Sequence, residues 1–171
     1  MNGLRRSLLV LSLLTFARVA SAHPVPFSYL DVQLQKTSID VSLVVHIFDL
    51  AHDLQVTPAD RLLDPAVVTE REAAMRVMLT PRIELSADGR VVTPVWGETE
   101  ILRDRQSLRF HLRYPTASPA GSVALNTVMF PYDPMHQTFV NMYEGETLTS
   151  QMILDGRHPH LEYFAGSRQG V

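Results

Sequence analysis

The sequence predicts a mainly β chain, a single β-sandwich of the immunoglobulin-like kind with a short helical insertion. Three observations predict it. Alternating apolar and polar positions recur in seven to nine short runs, turn-forming residues punctuate them, and one proline-started helical pattern interrupts them between residues 57 and 78. The chain has 171 residues and 46% hydrophobic composition, enough for one domain with its own core. No internal repeat, low-complexity tract or long internal linker divides it.

The first 22 residues read as an export signal. Arg5 and Arg6 form a basic start, Leu8 to Phe16 an apolar core, and Ala20-Ser21-Ala22 a small-residue cleavage site before His23. The apolar run is shorter than the roughly 20 residues of a membrane span and is followed by Arg18, which favours a cleaved signal over an anchor. The expected organisation is therefore a signal over 1–22, the sandwich over 23–165, and a linker or junction to a membrane part over 166–171. The expected location is exported, on the periplasmic or other extracytoplasmic face of a membrane.

After the signal, Ser28 to Gln33 and Ser38 to Ile47 both alternate, the second placing Ile39, Val41, Leu43, Val45 and Ile47 on one face. The join at Gln35-Lys36-Thr37 predicts an antiparallel hairpin whose partner numbers sum to about 72, with His46 opposite Pro26. Thr57-Pro58 and Asp64-Pro65 each set a capping residue before a proline suited to the first helical turn. A short helix and then a longer one through about Met78 are expected. The apolar stripe of the second, Val67, Val68, Ala74, Met75 and Met78 with Arg71 among them, places it across one end or face of a sheet.

Strands return from Pro81. Asp88-Gly89 between Ile83-Glu84-Leu85 and Val91-Val92 is the strongest hairpin signal in the chain. Leu108, Phe110, Leu112 and Tyr114 alternate with Arg109, His111 and Arg113. Gly121 to Phe130 and Gln137 to Tyr143 follow, and a Glu144-Gly145-Glu146 turn leads into Thr147 to Leu154.

Composition narrows the function classes. Losing residues 1–22 removes three arginines and no acid, so the formal charge goes from −3 to −6, and Lys36 is the one lysine. That gives no basic footprint for nucleic acid. There is no cysteine, so thiolate metal sites, cysteine nucleophiles and disulfides are excluded. No Gly-x-Ser-x-Gly elbow and no phosphate-cradling glycine loop occurs, and Glu144 with Glu146 reads as a charged hairpin tip. A non-enzymatic role with no small-molecule substrate is expected.

Seven histidines remain to be read. After cleavage the α-amine and imidazole of His23 would chelate one divalent ion, with His46 brought near by the hairpin, and with His52, His136 or Asp49 as further donors. Nitrogen donors of this kind suit Ni, Co, Cu or Zn. None of the spacings is a tight metal-binding motif, and each residue has a plainer reading: His46 on a solvated strand face, His136 capping a strand after the Pro131-to-Pro134 loop. His111 lies between two arginines, which disfavours cation binding, and His158 and His160 flank Pro159 in an exposed loop.

Three stretches carry a family resemblance. His23-Pro24-Val25-Pro26-Phe27-Ser28-Tyr29-Leu30-Asp31-Val32, then His46 to Leu54, then Met129-Phe130-Pro131-Tyr132-Asp133-Pro134-Met135-His136-Gln137-Thr138-Phe139 resemble the N-terminal exported region of HupE/UreJ-like membrane proteins. The likeness runs on through Asn141 to Gly145 and from Tyr163 to Gly170. It implies a β-rich extracytoplasmic domain followed by transmembrane helices whose histidine and aspartate motif is associated with nickel or cobalt. Those helices have no counterpart in this chain, so none of their residues can be carried over. The resemblance implies a membrane transporter-like partner or a membrane domain beyond this sequence. Two roles are expected from it and from the histidines: an accessory that binds or presents a divalent metal, or a metal-free interaction domain packing on a membrane partner or on itself.

Overall fold

A computed structural model of the chain describes residues 27–166. The expected export signal over 1–22, His23, the Pro26 expected opposite His46 and the stretch 167–171 lie outside the described residues. Two sheets face each other. The larger has the order β5-β6-β2-β1-β8-β9, from β1 (Phe27–Leu34), β2 (Ser38–His46), β5 (Val95–Leu102), β6 (Ser107–Pro115), β8 (Gln137–Glu144) and β9 (Thr147–Leu154). The smaller has the order β10-β7-β3-β4, from β3 (Ile83–Ala87), β4 (Arg90–Val91), β7 (Ser122–Thr127) and β10 (His160–Phe164). The chain is thus mainly β and built as a two-sheet sandwich, as the alternation predicts.

The strand period places every second side chain inward. Leu30, Val32, Leu43, Val45, Phe110, Leu112, Val140 and Met142 from the larger sheet and Leu85, Val123, Leu125 and Leu161 from the smaller join one buried cluster. Leu108, Phe110, Leu112 and Tyr114 are all buried, matching the pattern read for that strand.

The first hairpin forms with a different register. Leu30 pairs with Leu43 and Leu34 with Ile39, so partners sum to 73 rather than 72. The reason is facial parity. Directly opposed residues share a face, and a sum of 72 would set buried Leu30 against outward Ser42. The ladder ends at Tyr29 and Val44. All neighbouring strands are antiparallel except β1 and β8, which run parallel, Phe27 beside Gln137 through Leu34 beside Glu144. The Asp88-Gly89 turn joins β3 to β4 as expected. Both residues have positive φ, 48° and 75°, the geometry a two-residue hairpin turn demands.

The helical insertion lies between β2 and β3. Its first helix, α1 (Ile47–Leu54), is absent from the sequence expectation, which continued the strand to Ile47. A 3-10 turn over Ala59–Leu63 and α2 (Pro65–Leu79) follow where Thr57-Pro58 and Asp64-Pro65 predict them. Asp64 caps α2 by accepting from Ala66 N at 2.9 Å, and Pro65 occupies its first turn. Only Val68, Met75 and Leu79 of α2 are buried, a narrow stripe along one face. With so little burial to hold it, the cap matters: Asp64→Ala is expected to lower stability by about 1 kcal/mol in a urea titration. No helix among the described residues is long and apolar enough to cross a membrane.

Candidate functional site

The end of the larger sheet where β1 begins gathers most of the residues singled out in the sequence. His46 closes β2 there, α1 leaves from it, and the loop from Phe130 to His136 enters β8 beside Phe27. His46 is not a bare surface ring. Its Nδ1 accepts from Phe48 N at 3.2 Å and so serves as the N-cap of α1. An accepting Nδ1 leaves the proton on Nε2. A metal at Nε2 would have to move that proton and break the cap. Burial lowers the His46 pKa, partly offset by Asp49, so the ring stays neutral.

Asp49, one turn into α1, is buried at 5% exposure and accepts a 2.6 Å hydrogen bond from the Tyr132 hydroxyl. Burial, then that bond to the carboxylate, pushes the Tyr132 pKa well above its ordinary value. The other Asp49 oxygen faces His136 Nδ1 at 4.0 Å. His136 Nε2 lies 2.9 Å from Ser28 Oγ on β1. The carboxylate facing Nδ1 favours the tautomer with the proton there, so that the Ser28 hydroxyl donates to Nε2. His136 Nδ1 is buried without a hydrogen-bond partner among the described residues, and burial lowers the His136 pKa against the opposing pull of Asp49 and Asp133.

Serine, histidine and aspartate thus follow one another in the connectivity of a nucleophilic triad. The geometry does not present a nucleophile. Ser28 is completely buried, so no acyl carbon reaches its Oγ, and the Asp49 contact exceeds hydrogen-bond length. What the three residues do is tie β1, α1 and the proline loop together.

A second set of contacts anchors the other end of α1. The His52 ring stacks on Tyr132 at 3.6 Å, and His52 Nδ1 bonds Asp53 Oδ1 at 2.8 Å. Arg82 donates to Asp53 Oδ2 at 2.7 Å and to the Met129 carbonyl at 2.6 Å, with its guanidinium 5.4 Å from the Phe130 ring centroid. The chemistry of this end is therefore a layered polar knot, His52 over Tyr132 over Asp49, with His136 behind. Around it Phe48, Tyr132 and Met135 are 46%, 42% and 75% exposed. Beside it a cleft of about 510 Å³ opens between the proline loop and the β9–β10 turn, lined by Phe130, Pro134, Met135, His136, Asp155 and Arg157 among others. A larger depression of about 830 Å³ lies across the outer face of the six-stranded sheet.

The candidate metal ligands therefore meet only in part. His46, His52 and His136 share one end of the sandwich, each with one ring nitrogen already hydrogen-bonded. Among the described residues no three His, Asp or Glu side chains form a group that could hold a metal ion. His111 bonds Glu100 at 2.7 Å, which Arg109 shares, and this holds Glu100 below its usual pKa. His158 and His160 are exposed. Glu144 accepts from Tyr163 OH and Gly166 N, so the hairpin-tip carboxylate braces β10. Sequence reasoning missed Asp49–Tyr132 and Ser28–His136, which lie 83 and 108 residues apart. The one signal for them was Ser28 itself, a polar residue in the inward parity of Leu30 and Val32. Compared with protein-family models and with curated protein sequences, the chain matches none.

Proposed function

We propose that this chain is an extracytoplasmic interaction domain of the HupE/UreJ-like kind, which packs on a membrane partner through the end of the sandwich where β1 begins. One juxtaposition carries the reading. Phe48, Tyr132 and Met135 stand exposed around the polar knot, with Met135 also lining the cleft beside it, while the histidines there each have one ring nitrogen in an internal bond: a helix cap, an aspartate pair and a buried serine. Exposed aromatic and thioether side chains clustered at one end of a domain are the usual chemistry of a protein contact.

The test is a calorimetric titration of the chain begun at His23 with Ni(II), Co(II), Cu(II) and Zn(II), alongside a version carrying one extra N-terminal residue. The interaction reading expects no one-to-one binding that the extension weakens. Such binding would overturn it in favour of a metal-presenting accessory. A double substitution, Phe48→Ser with Met135→Ser, is expected to leave the melting temperature unchanged and to abolish recovery of the chain with its membrane fraction.

That second, metal-presenting reading has its own observation. His23 is four residues ahead of Phe27, a reach of at most about 14 Å, and the end it would reach holds His46, Asp49, His52 and His136. Nε2 of His52 makes no hydrogen bond among the described residues, which makes it the first partner to expect for a His23 chelate.

A further inference from the structure

We propose that β9 is the seam by which two copies of this chain pair edge to edge, antiparallel about Met152, so that the six-stranded sheet continues across a two-fold axis. The inference deepens the interaction-domain reading and rests on it. It starts from the four sheet edges that the described residues leave unpaired, because an unpaired strand edge is a template for another strand unless something blunts it.

Three of the four edges are blunted. β4 is two residues long. β5 carries Glu98 and Glu100 and a register break between Trp96 and Thr99, where Gly97 lies so close to β6 that a Cβ would meet the His111 carbonyl at 3.3 Å. β10 is five residues long, follows Pro159 and holds Glu162. β9 carries only a register break near its N-terminal end and none of the other devices. Its eight residues, Thr-Leu-Thr-Ser-Gln-Met-Ile-Leu, include no charge and no proline. Leu148, Met152 and Ile153 are 43%, 38% and 51% exposed.

The usable part of the edge is Ser150 to Leu154. On its N-terminal side the register breaks and Thr149 is bound to the Met142 carbonyl and to Tyr163. From Ser150 to Leu154 the pairing with β8 is regular, about 17 Å of straight edge. A second copy fits it better than the other edges do. Turned about Met152, it sets Met152 against Met152, Gln151 against Ile153 and Ser150 against Leu154, so no like charges meet. Met152 lies on the inner side of the sheet at its open flank, and the same methionine of the second copy would cover it there. Pairing with β5 of another copy would instead meet Glu98, Glu100 and the bulge, so growth into a filament is blocked and the two-fold dimer closes. A seam this small gives a weak dimer, with dissociation in roughly the micromolar range.

The absence of native cysteine makes the test clean. Purified chain is run in sedimentation velocity from about 1 to about 200 µM, as wild type and as Ile153→Lys. In parallel, Met152→Cys is oxidised beside Val77→Cys, a control at a 77% exposed position on α2. The wild type is expected to shift from monomer to dimer with concentration. Ile153→Lys is expected to stay monomeric at an unchanged melting temperature. The Met152→Cys variant should form an intermolecular disulfide at least about ten-fold faster than the Val77→Cys control, because opposed strand residues lie within disulfide reach. A wild type monomeric at every concentration, or equal disulfide rates, would overturn the pairing. Either result leaves the interaction-domain reading to the metal titration, which does not involve β9.

Discussion

Asp49→Ala is expected to cost about 2 kcal/mol of folding stability, measured by urea denaturation, because it deletes a short hydrogen bond to a buried carboxylate. The loss has a spectroscopic companion. Tyr132 owes part of its raised pKa to that carboxylate. In the variant its ultraviolet ionisation midpoint should therefore move down toward the ordinary phenol value. Asp49→Asn keeps an acceptor for the hydroxyl and should recover most of the stability. A variant as stable as wild type would show that Tyr132 and the proline loop are held by the His52 stack and Arg82 alone.

The second large effect is a loss of stability in mild acid. His46 and His136 both have pKa values lowered from the ordinary 6.5, chiefly by burial. Above that value both rings are neutral folded and unfolded, and they contribute no pH dependence. As pH falls below it, the unfolded chain takes up protons that the folded rings refuse. The unfolded state then binds more protons, so stability falls with falling pH until the lowered folded values are reached. Each ring contributes a slope of at most about 1.4 kcal/mol per pH unit in that window. His136→Gln, which can still bond Ser28, should remove about half of the slope. Asp49→Ala should steepen it, since Asp49 is the charge that partly offsets the burial of both rings. Denaturation curves collected at several pH values below 7 measure all three, and a flat profile for wild type would exclude the buried neutral histidines as acid-sensitive groups.

How much of this was legible in the sequence depends on how local the cause is. The α2 cap and the Asp88-Gly89 hairpin were readable because cap, proline and turn glycine act within four residues of where they stand. The buried face of β6 was readable because parity repeats along one strand. α1 was missed because its N-cap is a histidine, outside the usual serine, threonine, aspartate and asparagine set. The apolar alternation from Ile39 also runs unbroken into Ile47, so nothing nearby says the strand must stop. The turn at Gln35-Lys36-Thr37 taken alone suggests a sum of 72, whereas the shared inward face of Leu30 and Leu43 requires 73. At the candidate site, the sequence pointed to His46 and His136 for their chemistry and missed what each is bonded to. Those partners, Phe48 N for the first and Ser28 for the second, with Asp49 facing both rings, are supplied by strands and helices that meet only in three dimensions.

The parallel pairing of β1 with β8 also sets the order in which this molecule can be assembled. The first strand of the described chain sits in the interior of the larger sheet, and one of its two neighbours arrives 110 residues later, as the Asp31–Asn141 contact measures. Until β8 emerges, β1 has a single partner, β2, and one side of the hairpin stays open. Closure over so long a loop is entropically slow. A chain threaded through a narrow passage N-terminus first would keep one side of β1 open until Gln137 to Glu144 had cleared the exit, and only then hold β1 in place from both sides.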